Sequence, residues 1–141
     1  MEHLAIVKNG WLGKILSGEK TIESRWYKHK KAPFMAINKK DTIYFKETGK
    51  QVGVKSGISD VMFFDNLDKN KIEEIIRKYG KQICISNNDA SELMYKKYCT
   101  LIFLKGVEVI KPFSIDKKGY GNMCAWISVD NIDKLKATGR I

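Results

Sequence analysis

The order of strand-prone and helix-prone segments is what most constrains the fold of this chain. Six segments have the β-branched and aromatic residues of strands, at 3–7, 21–27, 41–47, 51–64, 101–110 and 124–129. One short helix-prone stretch lies between the first two, and two more lie between the fourth and the fifth. This order predicts a mixed α+β fold, in which a bent sheet of about five to six strands curls into a small barrel with flanking short helices.

Cap residues predict where the helices begin and end. Asn9 is the expected N-cap of the first helix, and Gly18 stands where a left-handed residue ends it. The second helix is predicted over 68–79, with Gly80 as its end. A last short helix is expected after Asp130.

Length and composition indicate one globular domain. We predict a single domain over 1–141, with a helical segment at about 67–100 inserted between barrel strands. Hydrophobic residues make up 43% and charged residues 30%, which is typical of a folded chain. No apolar run approaches the ~20 residues that span a bilayer, so no membrane partner is expected. The first residues lack the apolar core of a signal peptide.

Cysteine and histidine are too sparse for a disulfide framework or a metal site. Cys84, Cys99 and Cys124 lie far apart and form no CxxC pair. His3 and His29 have no partner at the spacing of metal ligands. We therefore expect no metal and no cofactor, and a reducing cytoplasm as the location.

The net charge of +10 indicates a polyanion partner, often nucleic acid, or a protein that lysine keeps soluble. Lysine supplies nearly all of the positive charge. A basic loop at 28–40 is expected either to add a salt-sensitive contact to a nucleic-acid backbone or to be simply solvated. The lysines in question are Lys28, Lys30, Lys31, Lys39 and Lys40.

The stretch GEKTIESR, at 18–25, places a lysine, a glutamate and an arginine at one helix-to-strand junction. Side chains alternate along a strand, so Glu23 and Arg25 share one face and Ile22 and Trp26 the other. Lys20 can reach the Glu23 face from the turn. The residues alone leave two possibilities open, a solvated ion pair or the wall of a cleft. Because lysine supplies most of the positive charge, the arginine at position 25 suggests a site that needs a planar donor able to make two parallel hydrogen bonds.

These residues resemble the GxKxxExR signature of the ASCH domain, a β-barrel relative of the PUA RNA-binding fold. Gly18, Lys20, Glu23 and Arg25 occupy its four fixed positions. The resemblance is strongest over residues 3–64. It implies a cleft that binds RNA or a nucleotide, lined by the motif and extended by the basic loop.

The resemblance also implies a possible reaction. Some ASCH proteins resemble amidohydrolases that act on N4-acetylcytidine, and others resemble ribonucleases. In such an enzyme, which would need no metal, Lys20 would be a base or nucleophile and Glu23 would move a proton or position water. The amidohydrolase pattern has a threonine where Glu23 stands, and its distant carboxylate would be Asp89 or Glu92. Glu92 is also explained as a capping-box partner of Asp89.

A third hypothesis is a protein-interaction module without site chemistry, based on aromatic residues near the C-terminus. Both Tyr120 and Trp126 are expected in the core rather than at an interface. Tyr120 and Gly121 lie in a loop that would close one side of a cleft. The ligand, the choice between RNA and a free nucleotide, and the oligomeric state stay open.

Overall fold

A single mixed sheet of six strands organises the structure, a computed structural model that describes residues 1–117, 119–121 and 124–137. The strands are β1 (Glu2–Val7), β2 (Ile22–Tyr27), β3 (Thr42–Glu47), β4 (Val52–Phe64), β5 (Tyr98–Phe113) and β6 (Trp126–Val129). The helices are α1 (Trp11–Ser17), α2 (Lys69–Ile83) and α3 (Ala90–Leu93). Short 3-10 turns lie at Asn87–Asp89 and Ile132–Leu135.

The strand order in the sheet is β2-β5-β4-β3-β1-β6. Neighbouring strands are antiparallel except β1 and β3, which are parallel. The long β4–β5 pair changes register at three points, and such irregularities bend a sheet. The curled mixed sheet with short helices confirms the fold class that the element order predicts.

Both faces of β2 are used, because the sheet has an apolar cluster on each side. Inside the curl, a core from β1, β3, β4, β5 and β6 includes Phe45 and Ile102. Outside it, Ile22 and Leu101 pack against α2. Glu23 lies opposite Ile102 in the ladder, so the motif carboxylate faces the interior of the curl.

Helix α2 extends beyond the end predicted for it. Asp68 is its N-cap and accepts from the Lys71 amide at 2.8 Å, but the helix continues through Gly80 to Ile83. Gly80 is required by a close approach of the backbone. A Cβ atom at this position would lie 2.6 Å from the Ile85 carbonyl oxygen.

Two further caps differ from expectation. The N-cap of α1 is Gly10, not Asn9, and the Glu47 carboxylate accepts from the Gly10 amide at 2.5 Å. The Glu47 carboxylate, from β3, thus caps the N-terminus of α1 in place of a side chain from the helix itself. At α3, Asp89 makes no cap bond and instead accepts from Ser86, so the predicted capping box is absent.

The remaining limits agree in part. Gly18 ends α1 in the left-handed conformation, as predicted. The last helical turn begins after Asn131, whose side chain accepts from the Asp133 amide, and Asp130 is not its cap. In the part of the chain that is described, no helix has the length and apolar character to cross a membrane.

Candidate functional site

Glu23 stands at the centre of a buried charge cluster at the start of β2. One carboxylate oxygen lies 3.3 Å from the Lys20 Nζ atom, and the other lies 2.9 Å from Arg25 Nη2. The Glu23 side chain is only 4% exposed. The structure therefore brings together the three charged residues of the motif, as strand alternation predicts.

Lys20 is the most deeply buried member of the cluster. Its side chain has no exposed surface, and its ammonium donates to the main-chain oxygens of Ile22 at 3.0 Å and Ile83 at 2.8 Å. With Glu23, these acceptors satisfy all three N–H groups of the ammonium. Desolvation lowers the pKa of Lys20 and outweighs the opposing effect of Glu23.

The two cations keep Glu23 ionised. Burial alone would raise the pKa of its carboxyl, but Arg25 and Lys20 outweigh burial and hold that pKa below its ordinary value. Glu23 also accepts from the Ser24 amide at 3.2 Å. The carboxylate is thus fixed in position by three donors.

Arg25 crosses the open side of the sheet. Its guanidinium donates to the main-chain oxygen of Ile6 on β1 at 3.1 Å and to that of Ala125 at 3.3 Å. The indole ring of Trp126 lies beside it, with 5.2 Å from Cζ to the ring centroid. These contacts use the planar fork of arginine, which a lysine lacks.

A cavity of about 380 Å³ lies at this open side, against the free edge of β2. Glu23 and Arg25 line it, together with three aromatic side chains, Trp11, Trp26 and Tyr27. Residues from the helical region between β4 and β5 form the facing wall. They include Cys84, Ile85, Asp89, Glu92, Leu93 and Lys96.

The other motif and loop residues lie outside this lining. Gly18 is exposed and shapes the turn, and Lys20 lies behind Glu23. The loop lysines are all exposed. Lys31 lies over the Tyr27 ring at 4.3 Å and so is next to the cavity, whereas Lys39 pairs with Asp60 at 3.8 Å.

Comparison with known proteins rests on structure. The sequence matches no protein-family model and no curated protein. The structure is similar to crystal structures of an ASCH protein from Zymomonas mobilis. A mutant form gives a TM-score of 0.71 at 17% identity, covering 94% of this chain and 91% of that chain. The form without a named mutation gives 0.67 at 17% identity, covering 94% and 90%.

This chain has the ASCH fold. The resemblance of the sequence predicted that fold, and the structural likeness confirms it. In this ASCH fold Glu23 and Arg25 of the motif line the cavity, and Lys20 of the motif is buried behind Glu23.

The sequence pointed to some residues of the ASCH cavity but not to others. Trp11 lies in the first helix-prone stretch and Tyr27 ends the strand-prone segment 21–27, and neither pattern by itself indicates a cavity. Lys96 carried no signal at all, because its position depends on how the helical region folds back. Of the two aromatic residues expected in the core, Trp126 is buried, but Tyr120 is 43% exposed and does not line the described cavity.

Asp89 and Glu92 both line the cavity of this ASCH fold. The capping role expected of them did not predict this position. The Ser86 amide and hydroxyl hold one Asp89 oxygen, at 2.7 and 3.1 Å. Among the described residues, no group of three His, Cys, Asp or Glu side chains could hold a metal ion.

Proposed function

We propose that this protein binds RNA or a nucleotide, with one base in the cavity beside Glu23 and Arg25. The observation that carries the proposal is the set of three aromatic side chains, Trp11, Trp26 and Tyr27, around about 380 Å³ of space. Such volumes suit small ligands, and aromatic faces stack on bases of any sequence. A charged fork next to them suits the polar edge or phosphate of a nucleotide.

The charges around the cavity support a base inside and phosphates outside. The lining has three cations and three carboxylates, whereas the chain carries a net charge of +10. Positive charge in excess therefore lies beyond the cavity. Lys14, 5.7 Å from the Trp11 ring, and Lys31, over the Tyr27 ring, lie just outside the lining, each beside one of its aromatic side chains. They are placed to contact a backbone that passes over a bound base.

A hydrolase acting on a modified nucleoside or on RNA is the alternative that the resemblance implies. Its nucleophile or base would be Lys20, which is fully buried and has three acceptors around its ammonium. Attack on a substrate would require Lys20 to leave these partners. Binding requires no such rearrangement, so we favour it.

The test is fluorescence anisotropy with a labelled single-stranded RNA, titrated at several salt concentrations. We expect binding at low salt that weakens linearly in log–log form as salt rises. Lys31→Ala should reduce the salt slope by about one, because it removes one of the cations expected to contact the backbone outside the cavity. Lys55→Ala is the matched control, since Lys55 pairs with Glu108 away from the cavity lining.

Trp11→Leu tests the stacking wall. The loss of stacking should weaken RNA binding by about 1–3 kcal/mol while Lys55→Ala leaves it unchanged. Absence of RNA binding at low salt would refute the proposal. Binding that ignores salt, or that both lysine variants weaken equally, would contradict the placement of the backbone.

A further inference from the structure

We infer that the main chain of β2 recognises the ligand, through the carbonyl of Ser24 and the amide of Trp26, and that the ligand group is the Watson–Crick edge of an unpaired base. This inference rests on the proposed function and specifies how the same cavity reads its ligand. Both residues line the cavity.

Strand β2 has a neighbour on one side only, because it is the first strand in the sheet order. Its carbonyls at Thr21 and Tyr27 accept from Leu104 and Lys97, on the β5 side. Peptide groups alternate in direction along a strand. The N–H and C=O groups of Ile22, Ser24 and Trp26 therefore point to the free edge, where the cavity lies.

The motif occupies the first part of this edge. The Lys20 ammonium binds the Ile22 carbonyl at 3.0 Å, and the Glu23 carboxylate binds the Ser24 amide at 3.2 Å. Beyond that point the Ser24 carbonyl and the Trp26 amide follow in turn. Neither has a hydrogen-bond partner among the residues that the structure describes.

Such a short free edge does not suit an added peptide strand. Strand addition needs a continuous row of free N–H and C=O groups, and in this row Lys20 already binds the Ile22 carbonyl and Glu23 the Ser24 amide. The next two groups along the edge are one acceptor, the Ser24 carbonyl, and one donor, the Trp26 amide, with the Trp26 carbonyl beyond them. That pair matches a planar group with a donor beside an acceptor.

Every unmodified nucleobase has such a pair on its Watson–Crick edge, for example the N3–H and O4 of uracil or the amino group and N1 of adenine. The N–H of the base would donate to Ser24 O, and its acceptor would receive the Trp26 N–H. Trp11 and Tyr27 then supply aromatic walls for the ring. A base already paired in a duplex cannot make these bonds, so the ligand is single-stranded.

Amide hydrogen exchange of ¹⁵N-labelled protein tests the inference, with oligouridine and oligoadenylate as probes. Without RNA, the Trp26 amide should exchange quickly while the Arg25 amide, which points to β5, is protected. Saturation with the probe that binds should slow Trp26 exchange about tenfold or more and leave Arg25 unchanged. The Arg25 amide is thus a control one residue away.

The base edge is tested by the same oligomers carrying N3-methyluridine or 1-deazaadenosine, which each lose one of the two groups. We expect about tenfold weaker binding, because a buried partner is left unsatisfied. If the unmodified RNA binds while Trp26 exchange stays fast and the modified oligomers bind equally, the inference fails and the proposed function stands. If no RNA binds, both fail.

Discussion

Arg25 joins β2 to β1 across the open side of the sheet, with its Nη2 atom 3.1 Å from the main-chain oxygen of Ile6. The same guanidinium contacts Ala125 and Glu23. The residue that borders the cavity therefore also fixes the distance between its two strand walls. One side chain therefore both lines the cavity and holds the curl closed.

Arg25→Lys should lower the free energy of unfolding by about 1–3 kcal/mol, since one ammonium cannot reach all of these acceptors. Urea denaturation at neutral pH measures the loss. Arg77→Lys is the control, because Arg77 is exposed on α2. Equal stability of the two variants would show that the three Arg25 contacts contribute nothing to the fold.

Among the residues that the structure describes, Glu23 is the carboxylate that contacts both Lys20 and Arg25, and Glu23→Gln removes its charge. We expect a loss of about 3–5 kcal/mol in unfolding free energy, because the charges of Lys20 and Arg25 remain in place without compensation. Glu19→Gln is the matched control. Glu19 is exposed and lies 3.9 Å from Lys14. Glu19→Gln should therefore lower the free energy of unfolding by less than about 1 kcal/mol.

The Glu23 effect should depend on pH. The folded-state pKa of Glu23 is lowered, so its contribution is complete above the unfolded-state value of about 4.3 and is lost as pH falls through the folded-state pKa. The stability gap between wild type and Glu23→Gln should narrow below about pH 4. Urea titrations at a series of pH values measure it. If the stability difference between wild type and Glu23→Gln stays constant into strong acid, Glu23 does not have a lowered pKa in the folded state.

His3 should make the fold sensitive to mild acid. It is buried between Ser128 and Asp41, each at 2.8 Å, and burial lowers its pKa despite the raising effect of Asp41. The unfolded chain therefore takes up a proton first, and stability falls as pH drops below about 6.5. Thermal unfolding of His3→Gln should show a flatter pH profile there. His29→Gln, in the exposed loop, should keep the wild-type profile.

The two helical glycines should respond in opposite ways to alanine. Gly80→Ala places a Cβ atom 2.6 Å from the Ile85 carbonyl, so we expect a net loss of about 1–3 kcal/mol. At Gly13 in α1 nothing lies within 4 Å of the added atom, and the better helix former should gain about 0.5–1 kcal/mol. Chemical denaturation of the two variants decides. Stabilisation of both would mean that the backbone at Ile85 yields without cost.

The sequence was most informative where periodicity alone decides the outcome. Alternation along β2 put Glu23 and Arg25 on one face and Ile22 on the other, and the structure agrees. Gly18 was correctly placed as a left-handed helix end. These features depend on residues close together in the chain.

Features that depend on distant residues were not predictable. The carboxylate at the start of α1 comes from Glu47, and the reason for Gly80 is the backbone of Ile85. Lys20 was expected to reach over a cleft, but the carbonyl of Ile83 holds it inside. The sequence around Lys20 is the same whether its ammonium points into the cleft or into the interior. Only the position of the end of α2 decides which of the two occurs.

The three-way coordination of Lys20 makes this side chain a natural reporter of the folded state. An amine that is fully enclosed and bonded to β2, to the end of α2 and to Glu23 cannot react with an acylating reagent until those elements separate. The lysines of the 28–40 loop are exposed and should be modified at once. Lysine footprinting followed by mass spectrometry would therefore compare the acylation rate of Lys20, which reports opening of the motif, with that of exposed lysines in the same molecule.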